Sequence, residues 1–200
     1  MGLISNGTTV FDAGAMALGG SMVFMKKLTA SSSATLSFVH GSGGVDFSTY
    51  KEYMFTFKNI HAESAVNSFN FNGSIDAGSN YNVTKTTTYF SAYHNENGTS
   101  GTLEYSTSQD LDQATGFQKL AGTVSVDADH ALSGYLHLFN PSSTTFVKHF
   151  IWSCNYGYET GTENPHGAGY FNTTSDIDAV RFQMTSDAID AGDICLYGIA

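Results

Sequence analysis

Charged side chains are scarce in this sequence, and basic ones are the scarcest. Of 200 residues, 8 are Lys or Arg and 18 are Asp or Glu, which gives a formal net charge of −10. A nucleic-acid binder needs a basic surface that displaces counterions from phosphates, and binding to an anionic membrane also requires basic clusters. Lys26 and Lys27 are the only adjacent basic pair. The composition therefore predicts no nucleic-acid partner and no membrane partner.

Catalytic and metal-binding signatures are also missing. The sequence contains no GxSxG, P-loop, HExxH or GxGxxG pattern. Its two cysteines, Cys154 and Cys195, lie in apolar strand-like runs and lack the CxxC or Cys/His spacing of zinc sites. We interpret them as buried thiols and leave open whether they pair. We expect no cofactor and no enzymatic activity.

No hydrophobic run is long enough to span a bilayer. The run from Ala13 to Met25 contains Gly14, Gly19 and Gly20, and its basic pair follows it, whereas a secretory signal begins with basic residues. We expect a soluble protein made in the cytoplasm. Residues 1–21 are predicted to form an arm that docks on the body of the chain or on a neighbouring subunit. The apolar side chains expected to dock are Leu3, Ile4, Val10 and Phe11.

The residues that replace the missing charges are glycines, aromatics and small polar residues. The chain has 21 Gly, 15 Phe and 11 Tyr but only 2 Pro. From residue 22 onward, short alternating segments such as Phe69 and Phe71 between Asn70 and Asn72 are separated by turn signals about every 8–12 residues. No segment keeps a helical period. We therefore predict an all-β fold, an antiparallel jelly-roll-like β-sandwich over residues 22–200 preceded by the arm.

The segment YLHLFNPSSTTFVKHFIW, residues 135–152, predicts a hairpin around the polar loop 140–145. With a loop that short, His137 and His149 stand at nearly the same level on adjacent strands. Two such histidines can bind a metal or titrate together near neutral pH. No carboxylate is placed as a third ligand, so the favoured interpretation is two ordinary strand residues. Alternation places Phe146, Lys148, Phe150 and Trp152 on one face.

A second candidate site is the polar segment that follows this hairpin. We expect a long loop in which Trp152, Tyr156 and Tyr158 stand among Asn, Thr and Glu. Such aromatic residues can stack on sugar rings, contact a protein partner, or pack on the loop itself. Three aspartates near the end of the chain, Asp187, Asp190 and Asp193, lack the spacing of an EF-hand and are interpreted as turn residues.

Several segments carry a resemblance to a known group of proteins. They are KKLTASSSATLSFVHG, YKEYMFTFKNI, YNVTKTTTYFSAYHNENG, LHLFNPSSTTFVKHF and AGYFNTTSDIDAVRFQM, with a final LYGI. Over residues 26–199 the chain resembles a family of small proteins from tailed bacteriophages of marine bacteria and cyanobacteria. NPSSTTFVKHF and LYGI are the most specific parts.

The resemblance implies a virion structural protein: a capsid decoration protein, a fibre-like surface component, or part of the tail. Its partners would be other phage structural proteins, and it implies no catalytic residues. The arm and the exposed sheet edges suit a homo-oligomer such as a trimer. The alternative hypothesis is a tail-fibre module that binds a host surface glycan.

Overall fold

The computed structural model describes residues 3–5, 8–12, 15–16, 21–64, 67–158 and 160–200. Almost every element in these ranges is a β-strand, and one short 3-10 helix, Ala128–His130, is the only helical element among them. None of the described residues forms a helix long and apolar enough to cross a bilayer. The strands are β1 Leu3–Ser5, β2 Thr8–Asp12, β3 Ala15–Met16, β4 Met22–Thr29, β5 Leu36–Val39, β6 Glu52–Ala62, β7 Asn67–Ser74, β8 Lys85–Asn95, β9 Gly101–Tyr105, β10 Gln118–Val124, β11 Leu132–Phe139, β12 Lys148–Tyr158, β13 Gly161–Phe171, β14 Ala179–Met184 and β15 Ile189–Ile199.

The body of the molecule consists of two antiparallel sheets of unequal size. The smaller sheet has four strands in the order β10-β7-β14-β5, and the larger has eight in the order β4-β15-β6-β11-β12-β13-β8-β9. The two sheets pack against each other, which confirms the predicted all-β antiparallel sandwich. Strands β4 and β9 form the two edges of the larger sheet. At the β4 edge the N–H of Ala200 donates to the carbonyl of Ser21 at 3.0 Å.

Aromatic rings fill the space between the sheets. Phe182 on β14 lies 5.3 Å, centroid to centroid, from both Phe55 and Phe57 on β6. Farther along, Phe71 on β7 meets Phe150 on β12 at 5.0 Å with the rings nearly perpendicular. Edge-to-face pairs of this kind stabilise a core beyond the burial of their area. The strand alternation seen in the sequence places these rings inward because successive side chains point to opposite faces.

The predicted hairpin is present, and its second strand has the expected alternation. Lys148, Phe150 and Trp152 point inward and are buried, while His149 and Ile151 are exposed on the other face. Phe146 departs from this pattern: it precedes β12 and is 67% exposed. The loop is also longer than predicted, because β11 ends at Phe139 and β12 begins at Lys148.

The strands of the arm pair with one another. Leu3 of β1 lies opposite Phe11 of β2, and Ile4 lies opposite Thr9. Strand β2, which includes Val10, also pairs with β3, so the three strands form a small sheet. The side chains of the arm are outside the described part of the structure. Its docking on the body or on a neighbour stays a prediction.

Candidate functional site

The outward-pointing side chains of the eight-stranded sheet form the most distinctive surface of the molecule, which we call the outer face. Several of its side chains are large and apolar yet substantially exposed, among them Phe24 at 58% and Ile151 at 49%. Apolar side chains scattered singly on a surface are ordinary, but a contiguous patch indicates an interaction site.

The strand register arranges the middle of the outer face in three parallel rows of side chains, each running across the sheet. A further outward row, beyond Lys27, contains Thr29, Asp193 and Lys58. The central row crosses seven strands and contains Phe24, Tyr197, Met54, His137, Ile151, Ala168 and Thr88. One flanking row contains Lys27, Cys195, Thr56, Tyr135, Ser153, His166, Phe90 and Tyr105. The other contains Met22, Ile199, Glu52 and Phe139 on one side, and His149, Tyr170 and Thr86 on the other.

Neighbouring rings on the outer face hold one another in place. Phe90 stacks on His166 with ring centroids 5.4 Å apart, and Phe24 meets Tyr197 edge to face at 5.7 Å. A shallow apolar groove of about 480 Å³ runs between β12 and β8, with Ile151 and Ala168 among its lining residues. Rings packed against each other in this way have less rotamer freedom left to lose when a surface is covered.

Formal charge is nearly absent from the three rows. Among their side chains only Lys27 and Glu52 are charged residues, and Lys27 lies at the β4 edge. The Glu52 Oε1 lies 2.5 Å from His137 Nδ1, so the carboxylate is engaged within the face. The three rows therefore form a largely uncharged strip on a protein of net charge −10, and the row beyond Lys27 carries the charged residues Asp193 and Lys58.

The prediction that His137 and His149 stand level across the hairpin is wrong. Ile151 lies opposite His137, and the longer loop moves His149 two residues out of register with it. The two rings also have different neighbours: His137 contacts Glu52 and Tyr135, whereas His149 contacts Tyr170 with ring centroids 5.9 Å apart. Both histidines belong to the outer face as separate members of its rows.

The predicted glycan-stacking surface is also wrong for the two residues that can be assessed. Trp152 is fully buried and Tyr156 is 1% exposed, because β12 continues through this segment and both side chains point inward. The segment predicted as a long polar loop is a hairpin of β12 and β13. The side chain of Tyr158 is outside the described residues.

Tyr156 instead lines a polar cleft at the end of the inner face. Its hydroxyl donates to Glu163 Oε2 at 2.5 Å, and burial raises the pKa of this tyrosine. The cleft has a volume of about 260 Å³ and also exposes atoms of Tyr89, Gln109 and Glu104. Within the cleft the Tyr156 hydroxyl is therefore bonded to a protein carboxylate, whereas the buried Oε1 of Gln109 has no hydrogen-bond partner.

Metal ligands do not converge among the described residues. No group of three or more His, Cys, Asp or Glu side chains there is arranged to hold a metal ion. The three C-terminal aspartates bond different partners: Asp187 accepts from Ser64, Asp190 from Ser32 and Asp193 from Thr29. Cys154 and Cys195 are free and buried, in agreement with their interpretation as buried thiols: Cys154 lies in the core, and Cys195 is covered by its neighbours on the outer face.

Two buried lysines are the functional groups that the sequence interpretation missed. Lys85 and Lys148 are both fully buried, and each donates to uncharged oxygens. Lys148 Nζ donates to the carbonyls of Thr173 at 3.2 Å and Ser175 at 2.5 Å. Burial lowers the pKa of both amines, that of Lys85 to about 7. Alternation in the sequence had placed Lys148 on the face of Phe150 and Trp152, but it did not predict the burial of the amine or its carbonyl partners.

Comparison with known proteins adds no relative: no protein-family model, no curated protein and no solved structure matches this chain.

Proposed function

We propose that this protein is a non-enzymatic structural component of a bacteriophage virion, a capsid decoration or fibre-like protein. It self-associates through the outer face of its eight-stranded sheet and is anchored by its N-terminal arm. The phage assignment is supported by the segment resemblance described above. The mode of assembly is supported by one observation, the exposed and nearly uncharged apolar rows of the outer face.

The occupant proposed for the outer face is a second copy of this chain. Two copies with a net charge of −10 each repel one another over most of their surfaces. The three rows of the outer face carry little of that charge, because Lys27 and Glu52 are their only charged residues. Apolar contact there removes water from Phe24, Ile151 and Tyr135 without desolvating unpaired charges.

The size of the outer face suits such an interface. Eight strands about 4.8 Å apart, with three rows about 7 Å apart, give an area of roughly 700 Å². A standard protein interface takes about 800 Å² from each partner. If the same face of both copies meets, the product is a two-fold pair; if the face meets a different surface, the product is a ring such as the predicted trimer.

Sedimentation velocity tests the self-association. We expect the wild-type protein to sediment as an oligomer and Ile151→Lys, at the centre of the outer face, to sediment as a monomer. Phe146→Lys is the matched control because Phe146 is a still more exposed apolar residue that lies in the loop before β12. A monomeric wild type at high concentration, or equal effects of both substitutions, would sink the assembly proposal.

The virion assignment needs a separate test. Electron microscopy of phage particles carrying a labelled copy should place the protein on the capsid or the tail. A variant lacking residues 1–21 should fold but fail to join the particle. Normal incorporation of this variant would contradict the anchoring role of the arm, and the absence of label from intact particles would contradict the virion assignment.

The glycan-binding alternative loses the stacking surface on which it depended, because Trp152 and Tyr156 are buried. No second function is proposed.

A further inference from the structure

Lys85 and Asn72 form a buried pair that self-association does not use. Asn72 lies on β7 of the four-stranded sheet and Lys85 begins β8 of the eight-stranded sheet, so their contact joins the two layers. Both side chains are fully buried, and Lys85 Nζ lies 2.7 Å from Asn72 Oδ1. An amine and a carboxamide are therefore held together away from bulk water.

The orientation of the Asn72 amide is fixed by its neighbours. Its Nδ2 donates to the carbonyls of Tyr81 at 2.7 Å and Thr115 at 3.0 Å. Its Oδ1 accepts from Lys85 and from the backbone N–H of Gly73 at 2.9 Å. Because one side of the amide faces acceptors and the other faces donors, a flipped amide would lose its hydrogen bonds.

The environment of Lys85 favours the neutral amine. No Asp or Glu is among the buried polar side chains of the described residues, so no buried carboxylate holds the lysine protonated. Its other hydrogen bond goes to the carbonyl of Val83 at 2.9 Å. Burial lowers the pKa of Lys85 to about 7, so a large fraction of the amine carries a free lone pair near neutral pH.

We propose that Lys85 and Asn72 condense in the folded protein to form an intramolecular isopeptide bond. The Nζ lone pair attacks Asn72 Cγ, and the new C–N bond forms as the Cγ–Nδ2 bond breaks. One amine proton passes to Nδ2, which leaves as ammonia. The products are a secondary amide between the two side chains and one ammonia molecule, and the reaction needs no oxidant, reductant or co-reactant.

Two features of the site promote this step. Nζ needs only to move from the amide oxygen to the adjacent carbon, and reacting groups held this close react as if at very high concentration. The Gly73 N–H already points at Oδ1, where negative charge develops during attack. The exclusion of water also suppresses competing hydrolysis of the amide.

Intact-mass spectrometry of the full-length protein tests the proposal. After storage in the folded state until its mass is constant, the protein should be lighter than its sequence mass by about 17 Da, the mass of one ammonia. Trypsin cleaves after a free lysine but not after an acylated one. Peptide 59–119 should therefore replace peptides 59–85 and 86–119. A wild-type protein of full sequence mass would overturn the proposal.

Variants of Lys85 and Asn72, compared with a variant of Lys148, identify the residues that form the bond. Lys85→Met and Asn72→Leu should each retain the full mass. Lys148→Met should still lose ammonia, because Lys148 is equally buried but bonds only backbone carbonyls. A succinimide formed by Asn72 and the Gly73 nitrogen also releases ammonia, but it leaves Lys85 cleavable and persists in Lys85→Met, so that result would also overturn the proposal. If Lys85→Met does not fold, the mass and the tryptic peptides of the wild-type protein are sufficient to show whether the Lys85–Asn72 bond has formed.

Discussion

Lys85 and Lys148 point into the sandwich at the same level of the eight-stranded sheet, one on each side of Phe171. Lys148 on β12 pairs with Phe171 on β13, and Phe171 pairs in turn with Lys85 on β8. Both amines are buried, but their partners differ. Lys85 reaches a side-chain amide, whereas Lys148 reaches only main-chain carbonyls. Lys85 therefore has a side-chain amide with which it can react. Lys148 is buried in the same core without such a partner and serves as the control for Lys85.

Lys148 should make the free energy of unfolding depend on pH in the alkaline range. Burial lowers its folded pKa below the ordinary 10.5, although Asp176 opposes the shift. Between the two pKa values the unfolded chain binds a proton that the folded chain does not, so the free energy of unfolding rises with pH. The slope from one such proton is at most about 1.4 kcal/mol per pH unit.

Urea unfolding at a series of pH values below 10.5 measures this dependence. Lys148→Met should give a flatter pH profile than the wild type. Lys51→Met, at an exposed lysine, should leave the profile unchanged. Parallel profiles for the wild type and Lys148→Met would show that Lys148 keeps an ordinary pKa in the folded protein.

Gly167 should not tolerate a side chain. A Cβ at this position would lie 2.1 Å from the ring of Trp152 and 2.5 Å from the carbonyl of Thr88, and the buried indole has no space in which to retreat. Gly167→Ala should destabilise the protein by roughly 1–3 kcal/mol or more. Gly116→Ala is the control, since a Cβ there meets nothing within 4 Å. Equal melting temperatures for the two variants would contradict the close packing of Trp152 on β13.

Phe182 should be among the most costly core residues to truncate. Its ring contacts Phe38, Phe55, Phe57 and Phe69, so its removal leaves a cavity between the two sheets. We expect Phe182→Ala to cost about 3–5 kcal/mol in chemical denaturation. Phe146→Ala, at an exposed position, should change stability by less than about 0.5 kcal/mol. A small effect of Phe182→Ala would mean that the sheets close over the cavity.

Asp46 should titrate at unusually low pH. The hydroxyls of Ser48 and Thr49 and the Ser48 N–H donate to its carboxylate and lower its pKa from 3.8 to about 2. Its stabilising contribution is therefore present above pH 3.8 and is lost as the pH falls through about 2. The side chain is 38% exposed, so solvent screening should keep the contribution below about 1 kcal/mol.

Carbon-detected NMR of the Asp46 carboxyl group gives the pKa directly. Ser48→Ala should move the titration midpoint upward toward 3.8, because it removes the hydroxyl that lowers the pKa most. A wild-type midpoint near 3.8 would contradict the hydrogen-bonded geometry of this turn.

The strands were largely predictable because their signal is local. In β7, Phe69 and Phe71 alternate with Asn70 and Asn72, and that period alone fixes which side chains face the core. The same logic fails where glycines and polar residues interrupt the pattern. Residues 153–158 looked like a loop, yet Trp152, Cys154 and Tyr156 continue the inward alternation, and the intervening Asn155 and Gly157 merely occupy the other face.

Features that depend on register or on long-range contacts were not predictable. The level of His149 relative to His137 depends on loop length, and the loop extends from Asn140 to Val147. The outer face exists only because eight strands from distant parts of the chain align their rows. The contact of Lys85 with Asn72 depends on the packing of one sheet on the other, which no short sequence pattern encodes.

The hydrogen bond between Ala200 and Ser21 determines where chain added after Ala200 would leave the body of the molecule. It brings the last residue of the sandwich beside the first, at the β4 edge of the larger sheet. Chain added after Ala200 would therefore leave from the same corner at which the arm enters. A label or cargo attached there would lie beside Ser21, at the opposite edge of the larger sheet from β9.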